Sequence, residues 1–294
     1  MKPKKILITG ASNGFGKLTA IELAKRGHWV LAGLRGGESR LRGIVQESGK
    51  DREFLTRAME QGRLRACDLH LDQPESFNSI DPILKEWGGE LDVLINNAGF
   101  GLLGPVHLTG QKELRNVFEV NFFGPVALSQ KVMPALEKTR GRIVNLSSLV
   151  GRISMPFYGS YSASKAALEA ASEAMAHELS PKGISVCLVE PGGFKTGFGT
   201  AYQRPELTRT PGNPGHEQMN LFNRKIFEQT AALQGNPARV AKLLVRLSEK
   251  RSVRLRYVIG PDARALMLVS RLIPQRLLRG IFRLAFRDVL VIQN

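Results

Sequence analysis

Residues 4–16 read KKILITGASNGFG. Lys4–Thr9 is a short apolar run stopped by glycine, which predicts a buried strand. Glycines follow at 10, 14 and 16, and Leu18–Arg26 has helical character through Ile21, Leu23 and Ala24. Strand, glycine turn and helix in that order suit a phosphate loop. Glycine lets the backbone approach a pyrophosphate closely, and the first N–H groups of the helix face the anion. A glycine trio alone is weak evidence; its place at the head of a βαβ unit gives it weight. There is no GxxxxGK[ST] run, so an ATPase-type loop is not supported.

Working outward, further strands are predicted at Trp29–Leu34, Leu64–Cys67, Leu91–Ile95, Arg142–Leu146, Ile184–Val189 and Arg256–Ile259. Several are continuous apolar runs, as expected of parallel strands covered on both faces. Helices are predicted around Leu41–Ser48, Arg52–Glu60, Ser76–Trp87, Glu113–Leu136, Ser162–Leu179, Gln218–Ala231 and Pro237–Ser248. Pro82 falls inside the third of these, where it interrupts the helix or marks a first turn. The alternation implies an α/β fold, a doubly wound parallel sheet of Rossmann type in a single domain spanning 1–261. A C-terminal extension follows at 262–294. Ligands of such sheets bind at the carboxyl ends of the strands, where Thr9, Asp68, Asn96, Ser147 and Glu190 stand.

The second informative stretch is SLVGRISMPFYGSYSASK, residues 148–165. Tyr161 and Lys165 are four apart, which places them on one helix face. A phenol with an ordinary pKa near 10 is a poor acid or base at neutrality, and a nearby ammonium favours the phenolate. Ser148 can donate a hydrogen bond to a substrate oxygen while Tyr161 exchanges a proton with it. A Tyr–Lys pair at this spacing also arises by chance, and the small residues Ser162, Ala163, Ser164, Ala166 and Ala167 suit tight packing as well as a cofactor.

With these motifs in hand, the chain resembles the classical short-chain dehydrogenase/reductase family. The matching elements are Thr9-Gly10-x-x-x-Gly14-x-Gly16, Asp68, Asn96-Asn97-Ala98-Gly99, Asn121, Ser148, Tyr161-x-x-x-Lys165, and Pro191-Gly192 with Thr196. They keep family order over roughly residues 4–200. The stretch Gly99–Pro105 and the end of the second strand, Ala32–Arg35, look most like 17β-hydroxysteroid and retinol dehydrogenases. The resemblance implies a seven-stranded sheet, with Tyr161 as general acid/base, Lys165 holding the nicotinamide ribose and lowering the tyrosine pKa, and Ser148 orienting the carbonyl. It implies that Asn121 supports a proton-relay water. It further implies cofactor contacts from Gly10, Ser12, Asn13, Gly14, Phe15 and Gly16. Asp68 and Leu69 fall at the adenine, Asn97, Ala98 and Gly99 on the adenine-ribose side, and Pro191, Gly192 and Thr196 at the nicotinamide.

An acidic residue near the end of the second strand would bind the ribose hydroxyls of NAD. Arg35 stands there instead, with Arg40 and Arg42 beyond it. Its planar fork suits a 2′-phosphate, so NADP(H) is expected over NAD(H). Two features weigh against this: Arg35 also suits a solvated loop, and the glycine loop carries Ser12 and Asn13 where many NADP-binding members have a basic residue. The expected substrate is a small apolar ketone, aldehyde or alcohol, steroid-, retinoid- or lipid-like, walled by Leu102, Leu103, Phe157, Tyr158 and Phe198, with a mobile loop at about 194–230. A non-catalytic nucleotide-binding sensor or scaffold is the alternative. Mere nucleotide binding would not require Ser148, Tyr161 and Lys165.

The formal net charge is +16. From Arg251 onward there are nine Arg, no Lys and two acids, a net +7, so the excess is partly a property of the tail. That counts against specific nucleic-acid binding. Within 266–292, Leu278, Ile281, Phe282, Ala285 and Val289 are predicted on one helical face and Arg276, Arg279, Arg283 and Arg287 on another. Such a helix suits peripheral contact with an anionic membrane, and equally a cover over the substrate or a partner subunit in a homo-oligomer. The apolar run of the amino terminus is too short for a signal peptide, and no stretch reaches the roughly 20 apolar residues of a spanning helix. A cytoplasmic protein is expected. Two cysteines, Cys67 and Cys187, support neither a disulfide framework nor a zinc site, and the spacing of His107, His177 and His216 offers no metal set.

Overall fold

The computed structural model describes residues 2–196, 202–228 and 234–290. The first half runs β1 (Lys5–Thr9), α1 (Gly14–Lys25), β2 (Trp29–Leu34), α2 (Gly37–Gln46), α3 (Arg52–Glu60), β3 (Leu64–Asp68), α4 (Asp81–Glu86) and β4 (Val93–Asn96). Next come α5 (Gln111–Phe118), α6 (Gly124–Lys131), α7 (Met133–Thr139), β5 (Arg142–Leu146), α8 (Gly159–Leu179) and β6 (Ser185–Pro191). The chain continues with α9 (Pro214–Asn223), α10 (Ala238–Glu249), β7 (Arg256–Ile259), α11 (Pro261–Leu272), α12 (Gln275–Ala285) and α13 (Arg287–Leu290).

The seven strands form one parallel sheet in the order β3-β2-β1-β4-β5-β6-β7. The doubly wound expectation holds. Alternate residues of each strand feed opposite faces. Ile6, Ile8, Val30 and Ala32 pack with Leu23, Leu55 and Leu244 on one side. Leu7, Leu31 and Leu94 pack with Phe77, Leu128 and Leu136 on the other. Because the order reverses between β1 and β4, a crevice opens at their carboxyl ends.

Three expectations about elements need correction. The helix anticipated over Glu113–Leu136 is divided into α5, a π turn at Glu119–Phe123, α6 and α7. Pro125 and Pro134 sit in the first turns of α6 and α7, where a missing N–H is tolerated but an unbroken ladder is not. The tail helix is likewise broken: Ile273 is extended before Pro274, which separates α11 from α12. Ile281 is exposed instead of sharing the buried face. Finally, the helix expected over Gln218–Ala231 starts earlier, at Pro214, and passes from α9 into a π turn at Arg224–Glu228, while a 3-10 turn at Glu206–Thr208 precedes it.

Candidate active site

The glycine loop lies in the crevice. Gly10 has φ +67°, a left-handed conformation that a side chain would strain, and a Cβ there would stand 2.7 Å from the Ala98 Cα. A Cβ on Gly16 would meet the Gly10 carbonyl oxygen at 2.3 Å, so the loop can fold only this tightly with glycine. Asn97 ties the loop to β4 by donating from Nδ2 to the carbonyls of Thr9 (2.9 Å) and Gly10 (3.1 Å). Thr9 Oγ1 accepts the N–H groups of Asn97 and Ala98, both at 3.0 Å. Asn13 precedes α1 without a capping side-chain bond, and the first turn of α1 carries no acid. Those properties suit a pyrophosphate.

At the end of β3, the exposed Asp68 carboxylate accepts the Gly36 N–H at 2.8 Å and stands 3.0 Å from His70 Nε2. Leu69 is buried against Gly33. Arg35 projects from the end of β2, its side chain 67% exposed and 3.7 Å from Asp72. Glu38, a nearby acid, is turned away to accept the Ala66 N–H at 3.2 Å. On the other wall, Gly192 donates to the Ile259 carbonyl, and Thr196 lies near Gly14, whose Cβ would be 3.6 Å from its own.

Ser148 stands just beyond β5, its backbone extended before a 3-10 turn at Leu149–Gly151. Tyr161 and Lys165 are on the first turns of α8, both buried. The Tyr161 hydroxyl is hydrogen-bonded to Ser148; burial raises its pKa, and the Ser148 bond lowers it by less. Lys165 Nζ donates to the Leu146 carbonyl at 2.9 Å. It also lies 3.3 Å from where a Cβ on Gly99 would stand. Burial lowers the Lys165 pKa to about 8, and the Glu169 carboxylate one turn away opposes that.

Asn121 is fully buried in the π turn. It donates to the Phe100 carbonyl (2.9 Å) and Ser164 Oγ (3.0 Å), and its Oδ1 accepts the Phe100 N–H at 3.1 Å. A Cβ on Gly99 would meet Asn121 Oδ1 at 2.8 Å, which places Asn121, Gly99 and Lys165 together.

Leu102, Leu103 and Phe157 are buried and Tyr158 is half-buried; Phe198 lies outside the described residues. Leu103, Phe157 and Tyr161 share one apolar cluster with Met219, Phe222, Phe286 and Val289. Phe222 lies between Phe157 and Phe286, with ring centroids at 4.8 and 6.1 Å. The tail thus joins the cluster that holds the tyrosine, through α13 and its preceding residue. Gln218 Nε2 donates to the Val289 carbonyl at 3.0 Å, and Lys225 pairs with Asp288 at 2.7 Å.

Two groups were not anticipated from the sequence. Asp262 accepts the Gly193 N–H at 2.6 Å and so holds the turn after Pro191. Its one local signal is its place in the first turn of a helix opened by Gly260-Pro261. Glu169 is held by Ser147 Oγ (2.6 Å) and Arg256 (2.6 Å), and Arg256 also reaches Glu190 at 2.9 Å. Glu169 follows Lys165 by one helical turn, the only hint that the linear pattern offers.

The family model described as short chain dehydrogenase matches residues 4–206. A 3-ketodihydrosphingosine reductase of Bacteroides thetaiotaomicron is 36% identical over 273 residues, covering 92% of this chain and 93% of the relative. Retinol dehydrogenase 5 of Mus musculus is 30% identical over 291 residues, covering 94% and 86%. Among solved structures, a short-chain dehydrogenase from Streptomyces avermitilis superposes with a TM-score of 0.74 at 28% identity, covering 98% of each chain.

Proposed function

The chain belongs to the short chain dehydrogenase family, and from that premise we propose that it moves a hydride between NADP(H) and the carbonyl or alcohol carbon of an apolar, lipid-like molecule. The carrying observation is the position of Tyr161. Its hydroxyl meets Ser148 while its ring belongs to the apolar cluster formed with Phe157, Phe222 and Phe286. A polar, proton-exchanging point at the edge of an apolar cluster suits a carbonyl on a greasy skeleton.

The residues present fit a dinucleotide. Gly10–Gly16 and the start of α1, including Ser12, Asn13 and Phe15, would hold the pyrophosphate. Asp68 and Leu69 would border the adenine, Asn97–Gly99 its ribose, and Pro191, Gly192 and Thr196 the nicotinamide. Arg35 would face the 2′-phosphate, a reading supported by its exposure and by the engagement of the Glu38 carboxylate with the Ala66 N–H. When bound, the cofactor supplies or accepts the hydride at the substrate carbon.

The chain's own residues manage the oxygen. Ser148 donates a hydrogen bond to it, and the Tyr161 hydroxyl gives it a proton in reduction or removes one in oxidation. Lys165 holds a proton at Nζ close to neutrality, near Asn121 and Gly99, and would anchor the ribose. The enclosing cluster excludes water. Both a 3-ketodihydrosphingosine reductase and a retinol dehydrogenase among the relatives accord with an apolar ketone or alcohol. Within the family we place the chain near the 17β-hydroxysteroid and retinol dehydrogenases.

The test is a screen of long-chain ketones, steroids and retinoids that follows reduced-cofactor absorbance with NADP(H) and NAD(H). Turnover of an apolar member with NADP(H), lost in Tyr161→Phe while cofactor binding persists, is expected. Cofactor binding without turnover of any carbonyl or alcohol would make the protein a nucleotide sensor instead.

A further inference from the structure

The described residues include eleven exposed large apolar side chains, and six of them fall between Leu268 and Leu290. On α11, Leu268 and Leu272 are one turn apart and 60% and 74% exposed. On α12, Leu277, Ile281 and Leu284 recur at helical spacing and are likewise exposed. Leu278 and Phe282 face the other way, into the protein. Both helices therefore carry a second apolar stripe in addition to the one that packs.

The charge around this stripe has one sign. Residues 263–287 contain Arg264, Arg271, Arg276, Arg279, Arg283 and Arg287 and no acid. None of these six pairs with a described carboxylate. Arg264, one turn before Leu268, also lines a cavity of about 560 Å³ whose other charged walls are Arg239, Lys242, Arg246, Arg254 and Arg256. No helix among the described residues is long and apolar enough to cross a membrane.

We infer that α11, α12 and the adjoining basic cavity form a docking face for an anionic phospholipid bilayer, on which the chain lies without spanning it. The leucines enter the acyl boundary, and the arginines meet the headgroup phosphates. A second copy of the chain is a poorer occupant. A two-fold contact places a patch against itself, and here that sets arginine against arginine, because the flanking Asp262 and Asp288 are already held by the Gly193 N–H and Lys225. Docking also has a use under the proposed function, on which this part alone rests. The inner residues Phe282 and Phe286 pack in the cluster that holds Tyr161, so the outer face of the same segment brings that apolar cluster to the lipid.

The experiment is co-sedimentation of the full chain with vesicles of phosphatidylcholine, alone or mixed with phosphatidylglycerol. Binding is expected only to the mixed vesicles and should weaken as salt rises. At about fivefold per arginine near an anionic surface, Arg276→Gln/Arg279→Gln/Arg283→Gln should lower partition about a hundredfold. Leu272→Ser/Leu277→Ser/Leu284→Ser should lower it at least tenfold, by roughly the cost of withdrawing half-buried leucines. Both variants should turn over a small water-soluble ketone like the parent. Equal binding to both vesicle types, or to neither, overturns the inference. So does a leucine variant that changes only the oligomeric state in sedimentation velocity, or duplex DNA binding that replaces vesicle binding. Vesicle binding without any ketone turnover would remove the substrate reading and leave the docking face standing.

Discussion

Lys165 should weaken the fold at neutral pH, and Lys165→Met should show it. An ordinary lysine titrates at 10.5, and burial lowers Lys165 to about 8. At about 1.4 kcal/mol per pH unit, that gap corresponds to about 3 kcal/mol. Below pH 8 the folded and unfolded chains both carry the proton, so the folded chain bears the whole cost of burying the charge. Between 8 and 10.5 the folded chain gives up its proton while the unfolded chain keeps it, so this group's contribution to stability rises with pH. Above 10.5 both are neutral and the contribution is level. Methionine fills similar space without a proton to lose. It leaves the Leu146 carbonyl without its donor, which costs about 1–3 kcal/mol at every pH. Urea titrations should therefore find the variant close to the parent at neutrality. The parent should pull ahead by about 2.5 kcal/mol between about pH 7 and about pH 10. Parallel stability curves for the two proteins would refute the reasoning, because they would mean that the ammonium is not desolvated in the fold. The same variant should lose turnover.

Arg35→Asp should move cofactor preference from NADP(H) to NAD(H), read as the ratio of the two dissociation constants; an unchanged ratio would place the 2′-phosphate elsewhere. Gly10→Ala should abolish dinucleotide binding followed by cofactor fluorescence. Its new Cβ falls 2.7 Å from the Ala98 backbone, and its left-handed φ adds about 1–2 kcal/mol of strain. Phe286→Ala should cost about 3 kcal/mol locally by opening the contact with Phe222. It should raise KM for apolar substrates while leaving kcat on a small soluble ketone nearly unchanged, and equal effects on both would argue against the tail as a wall.

How much of this was legible in advance varies element by element. Trp29–Leu34, Arg52–Glu60, Arg142–Leu146 and Arg256–Ile259 begin and end where local patterning placed them. These segments are bounded by turn residues and make their decisive contacts in the regular pattern that their own period creates. The Glu113–Leu136 segment was misread because helical periodicity survives a π turn. What divides the helix is the pair of prolines and the demand that Asn121 reach Phe100 and Ser164.

The linear order of residues determined the parallel sheet, the glycine loop and the Ser148–Tyr161–Lys165 set, because each depends on spacings within a turn or on steric needs peculiar to one residue type. Only the tertiary structure decided what packs beside the tyrosine, which groups stand behind the lysine, and which tail leucines face outward. Those outcomes depend on partners far apart in the chain, such as Phe222 with Phe286, Asp262 with Gly193, and Glu169 with Arg256. A side chain's burial is set by what the fold brings against it, and no local period records that.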